Sequence, residues 1–111
     1  MDGLVFFDTE CHDDVVAFYR ELGATVWLEQ PGCTILRAGE FRFGFCARET
    51  ADTEGTVTFV FEERADVDDA YSGVERADGE PRYNDTYEIY QFFAEDPEGR
   101  TVEFQSFEHT E

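Results

Sequence analysis

Apolar and polar positions alternate along Leu4 to Asp8 and again along Thr56 to Glu62, which predicts a half-buried strand at each place. After each strand the apolar spacing lengthens to that of a helix. Cys11, Val15, Phe18 and Leu22 fall on one stripe, acids occupy the first turn, and Gly23 follows as a stop signal. Val67, Ala70, Tyr71, Val74 and Ala77 make a second stripe, predicting a helix capped by Asp66 and ending at Asp78-Gly79. Gly73 inside it costs about 1 kcal/mol relative to Ala. Short strands separated by turn residues come next: Thr25 to Glu29, Cys33 to Arg37 and Phe41 to Cys46, with Pro31-Gly32 and Gly39 between them. The second half repeats the scheme less regularly through Glu80 to Tyr83, Glu88 to Glu95 and Arg100 to Phe107. In Asp96-Pro97-Glu98-Gly99 the proline presets the turn and the glycine supplies the left-handed residue that enters the last strand.

Sliding the chain against itself by 52 positions places Val5 on Val57, Phe7 on Phe59, Glu10 on Glu62, Val15 on Val67, Tyr19 on Tyr71 and Leu22 on Val74. The expected fold is α+β, with two tandem βαβββ modules forming a curved mixed sheet around a cleft. Module 1 covers about 1–48, a polar linker about 49–55 and module 2 about 56–108, within one domain. Each helix stripe covers one face of its own sheet. On the other face, alternation leaves Arg42, Gly44 and Cys46 in the first module and Thr101, Glu103 and Gln105 in the second.

Charge narrows the setting more than the function. Against 27 acidic residues stand 8 arginines and no lysine, a formal charge of −19. Self-repulsion of that size strains a small fold in dilute buffer, whereas molar salt shortens the screening length to about 3 Å. The composition points to a halophile, of archaeal type, and to a cytoplasmic protein. An acidic mimic of nucleic acid is the rival reading, but the acids are spread along the whole chain. Binding to nucleic acid through a basic surface is excluded, and no apolar run reaches the length of a membrane span. Cys11, Cys33 and Cys46 are odd in number and lack CxxC spacing, so they read as buried thiols, not as a disulfide framework or a zinc knuckle.

The phrases VVAFYRELGA, Val15 to Ala24, and FFAEDPEGRTVEF, Phe92 to Phe104, resemble the vicinal oxygen chelate superfamily of glyoxalases, bleomycin resistance proteins and extradiol dioxygenases. The resemblance covers nearly the whole chain and implies paired βαβββ modules around a cavity, commonly completed in a homodimer. It also implies, in metal-dependent members, four ligands from the first and last strands of the two modules. The first-strand positions fall at Leu4 and Thr56, with Thr58 the neighbour two residues on, and the last-strand positions at Gly44 and Glu103. Only Glu103 retains ligand chemistry, and a catalytic metal needs about three protein ligands. A divalent metal therefore remains only as the alternative in which Asp8, Glu10 or His12 substitutes. His12 reads as an exposed residue at the start of an acidic helix, and His109 as part of the tail.

The leading expectation is a metal-free protein, not an enzyme, that binds a small molecule, as bleomycin resistance proteins sequester a drug. A metal-dependent lyase, isomerase or dioxygenase is one alternative, and a scaffold or regulatory dimer module the other. Phe6, Trp27, Arg42, Tyr90, Phe92, Glu103 and Gln105 are the expected lining: aromatics for stacking, Arg42 for an anionic or carbonyl group, Glu103 and Gln105 for orientation. The same aromatics also suit a core or a dimer interface, and Arg42 and Glu103 also suit an ion pair or solvent. No Ser-His-Asp or Cys-His arrangement supports nucleophilic catalysis.

Overall fold

A computed structural model describes residues 1–108 of the chain; His109 lies outside the described residues. The chain divides into two compact units, Met1–Thr53 and Glu54–Glu111. The first unit contains β1 (Val5–Thr9), α1 (His12–Glu21), β2 (Thr25–Gln30), β3 (Cys33–Ala38) and β4 (Phe41–Ala47). The second contains β5 (Thr56–Phe61), α2 (Arg64–Gly73), β6 (Ala77–Asn84), β7 (Ile89–Glu95) and β8 (Thr101–Phe107). Each unit is a βαβββ module with a four-stranded mixed sheet, in the orders β1-β4-β3-β2 and β5-β8-β7-β6. In each the first strand lies parallel to the last, and the other pairings are antiparallel.

The 52-residue shift carries α1, His12–Glu21, end to end onto α2, Arg64–Gly73. It also preserves register: Val5 pairs with Phe43 and Val57 with Val102. Each helix buries its stripe on an aromatic cluster. Tyr19 stacks on Phe45 and meets Phe43 edge-on, while Tyr71 meets Phe92 edge-on and Phe92 stacks on Phe104. Tyr19, Phe43, Phe45, Phe92 and Phe104 are almost completely buried, Tyr71 only in part, and fully burying a side chain of this size contributes about 1.5–3 kcal/mol.

The second helix departs from its predicted limits at both ends. It starts at Arg64, its N-cap Glu63 three residues before the expected Asp66 cap, and Val74 is already extended. Gly73, a poor helix residue, is its last position. From Ala77 the chain pairs with β7, so the expected helix end at Asp78-Gly79 belongs to a strand. Sheet pairing here overrides the apolar spacing that ran on to Ala77. Pro81, which has no N–H to give, sits on this edge strand within the irregularity between Asp78 and Arg82.

The cysteines also require correction. Cys33 and Cys46 form a disulfide, their Cα atoms 4.1 Å apart, and Cys11 is not part of it. Counting cysteines and looking for CxxC missed a pairing that register creates, because the β3–β4 hairpin places these two directly opposite one another.

Candidate functional site

The face of each sheet opposite its helix holds the residues of interest. In the first unit, Phe6, Gly44 and Ile35 make one cross-strand row, and Cys33 and Cys46 belong to the next. Gly44 has no room for a side chain. A Cβ built there would lie 2.8 Å from the Phe6 ring and 3.3 Å from Ile35. Arg42, two residues before Gly44, holds its guanidinium carbon 4.8 Å from the centre of the Trp27 ring. Its Nη2 is 3.6 Å from the Asp2 carboxylate, and its buried Nε has no hydrogen-bond partner. Phe6 and Trp27 remain about half exposed, at 49% and 43%.

The equivalent rows of the second unit carry different chemistry. Thr58, Glu103 and Phe93 occupy the places of Phe6, Gly44 and Ile35. The Thr58 hydroxyl donates to the Glu103 carboxylate at 3.0 Å. Thus the first-strand neighbour of the chelating position is Thr58, and its counterpart in the first unit is Phe6; the expected Thr56 and Leu4 lie two residues earlier. Gln91 and Gln105 stand opposite one another where the first unit has its disulfide. The side-chain carbonyl oxygens of both are buried and accept no hydrogen bond. Gln105 is 8% exposed.

Of the seven predicted lining residues, Phe6, Trp27 and Arg42 thus gather in the first unit, and Glu103 and Gln105 on the open face of the second. Tyr90 and Phe92 do not join them. Phe92 is core, stacked on Phe104, and Tyr90 donates its hydroxyl to Asp68 of α2 at 2.7 Å. That hydrogen bond, then burial, raises the Tyr90 pKa above its ordinary value. The adjacent Gln91 and Phe93 share the open face instead. Sequence reasoning missed them because Phe92-Phe93 offers two apolar side chains in succession, so alternation alone leaves the phase of β7 ambiguous. The pairing of Phe92 with the inward Phe104 sets it.

His12 is not an exposed residue. Its ring nitrogens lie 2.9 Å from the Thr34 hydroxyl and 3.0 Å from Asp13, which anchors it between helix and sheet. A shallow hollow beside it, lined by Glu10, Asp13 and Asp14, contains none of the seven predicted residues. Among the described residues, no group of three or more His, Cys, Asp or Glu side chains is placed to hold a metal ion. At the four positions matched to the chelating corners, Phe6 and Gly44 offer no side-chain donor, and Thr58 and Glu103 offer one hydroxyl and one carboxylate.

These modules define a known architecture, that of the glyoxalase/bleomycin resistance fold. A glyoxalase/bleomycin resistance protein/dioxygenase family enzyme from Burkholderia phytofirmans superposes with a TM-score of 0.81 at 20% identity, over 97% of this chain and 100% of that one. The bleomycin resistance determinant encoded on the transposon Tn5 gives 0.74 at 18%, over 98% and 100%. A lactoylglutathione lyase from Agrobacterium tumefaciens gives 0.74 at 18%, over 94% and 92%. No family model and no curated protein sequence matches the chain. The chain therefore has the fold shared by these proteins, at sequence distances where fold does not fix chemistry. No described helix is long and apolar enough to cross a membrane.

Proposed function

We propose that this chain is a metal-free protein of the glyoxalase/bleomycin resistance fold that binds a small molecule on the open faces of its sheets. The observation that carries the reading is the Phe6–Gly44 contact. The Phe6 ring fills the space into which a side chain from position 44 would project, so one chelating corner is physically closed. A single carboxylate with a neighbouring hydroxyl falls short of the roughly three ligands a divalent ion requires. The residues present do not fit a catalytic metal.

Binding is supported by what the faces leave unsatisfied. Buried polar groups are nearly always paired, and an unpaired one costs about 1–3 kcal/mol. Arg42 Nε, Gln91 Oε1 and Gln105 Oε1 carry that cost, which an incoming ligand would offset. The proposal extends to a homodimer, on the family resemblance, and to a salt-rich cytoplasm, on the charge of −19. Native mass spectrometry of the purified chain tests the binding reading. An organic adduct without metal is expected, or binding of one from a small-molecule panel. A chain that binds no compound by either route would overturn it.

A further inference from the structure

We infer that the open face of the second unit is a subsite for a planar, N–H-rich cation, a guanidinium or amidinium group; this rests on the small-molecule reading above. Four observations converge on one patch. Gln105 is nine-tenths buried, and its carbonyl oxygen has no donor. Gln91, directly opposite on β7, is only part-buried as a residue, but its carbonyl oxygen is buried and likewise has no donor. Glu103, two residues along the same strand face, adds a carboxylate, and the nearest hydroxyl, that of Thr58, is already donated to it. Phe93, opposite Glu103, adds an aromatic ring beside that carboxylate.

The chemistry of the patch selects among ligand classes. It presents acceptors, two amide carbonyls and a carboxylate, so an anion meets repulsion there. A wholly apolar ligand would leave both carbonyls buried without donors. A quaternary ammonium supplies charge but no N–H. A hard metal ion needs six or more oxygens at about 2.3–2.6 Å, whereas residues at i and i+2 of a strand are spaced about 6.5 Å apart. A forked cation with several N–H groups in one plane reaches separated acceptors at once, and its charge is complemented by Glu103.

The first unit shows the contrast within the same molecule. Its corresponding row is closed by the Cys33–Cys46 disulfide, and its corner by Phe6 over Gly44. The acceptor set belongs to the second module alone.

Amide-resolved NMR titration of the full chain at constant ionic strength tests the assignment, with benzamidine, benzyltrimethylammonium, benzoate and calcium as probes. Benzamidine is expected to shift the side-chain amide resonances of Gln91 and Gln105 and the backbone of Glu103. The trimethylammonium analogue should bind at least about tenfold more weakly, equivalent to about 1.4 kcal/mol. Glu103→Gln and Gln105→Leu should each weaken benzamidine binding by a similar factor, and Gln105→Leu should at the same time raise Tm by removing an unpaired buried carbonyl. Equal binding of the trimethylammonium probe, binding of benzoate at these residues, displacement of benzamidine by calcium, or silence of these resonances would each overturn the assignment. Shifts confined to Phe6, Trp27 and Arg42 would sink it while leaving the small-molecule reading intact. A chain to which no probe and no panel compound binds anywhere would sink both.

Discussion

The two modules share strand order, register and helix position, yet they treat equivalent places in opposite ways. Where the first unit joins β3 to β4 by Cys33–Cys46, the second sets Gln91 against Gln105 with both carbonyls unpaired. Where the first packs Phe6 over Gly44, the second places Thr58 on Glu103. The turns before the last strands differ as well. In the first unit, Arg37 and Glu40 form an ion pair at 3.2 Å with Glu40 almost fully exposed. In the second, Arg100 and Asp96 pair at 2.7 Å with neither exposed at all, and the other Asp96 oxygen accepts from the backbone N–H of Glu98 and Arg100. Duplicated backbone geometry thus does not dictate duplicated chemistry. In one module the corner and the row beside it are closed by apolar and covalent contacts, and in the other the equivalent row keeps unpaired acceptors.

The two turns should differ most in stability. Asp96→Ala leaves the Arg100 guanidinium buried without its main partner and should cost about 3–5 kcal/mol. Glu40→Ala, at the matching exposed pair, should cost less than about 1 kcal/mol. Denaturant unfolding of both variants at one salt concentration checks the pair, and equal losses would erase the distinction. Reducing Cys33–Cys46 comes next. A closed loop of this length is worth about 3 kcal/mol, to be read as a fall in the unfolding midpoint of wild type that a Cys33→Ser/Cys46→Ser variant does not show on adding reductant.

A smaller effect sharpens the corner. Gly44→Ala drives a Cβ toward the Phe6 ring and should cost about 1 kcal/mol, the low end for overpacking because the half-exposed ring can swing aside. Most of that loss should disappear in the Phe6→Ala background, and a double-mutant cycle measures the coupling. Additive losses would show that Phe6 does not close the corner.

The smallest effect is a pH dependence. Glu108 receives hydrogen bonds from Arg64, including one to Oε1 at 2.7 Å. Those bonds hold its carboxyl below the ordinary value, against the smaller opposing effect of burial. A depressed folded-state value means a contribution present above the unfolded-state pKa and lost as pH falls through the folded-state one. Wild type should therefore lose slightly more stability than Glu108→Gln between about pH 5 and about pH 3 in thermal melts. An identical pH slope for the two proteins would assign the pair no part in stability.

Much of this fold is legible in the chain because its signals are periodic. The 52-residue shift is visible in Val15/Val67 and Tyr19/Tyr71, and these pairs take the same places in the two helices. What escaped is what depends on strands meeting. The disulfide follows from the β3–β4 register, the inward position of Phe92 from its pairing with Phe104, and the early end of α2 from the capture of Ala77 by β7. The candidate site shares that limit. Glu103 and Gln105 are legible from alternation along one strand, whereas Gln91, Phe93 and the Thr58 hydrogen bond require knowing which residues lie across from them.

We propose that the positions matched to the fold's chelating corners hold no metal ion in this chain. Elemental analysis tests it most directly, on protein exposed in turn to zinc, manganese and iron(II) and then dialysed in molar salt. Metal well below one ion per chain is expected for all three, unchanged by Glu103→Gln. A stoichiometric ion retained by wild type and lost in Glu103→Gln would contradict it.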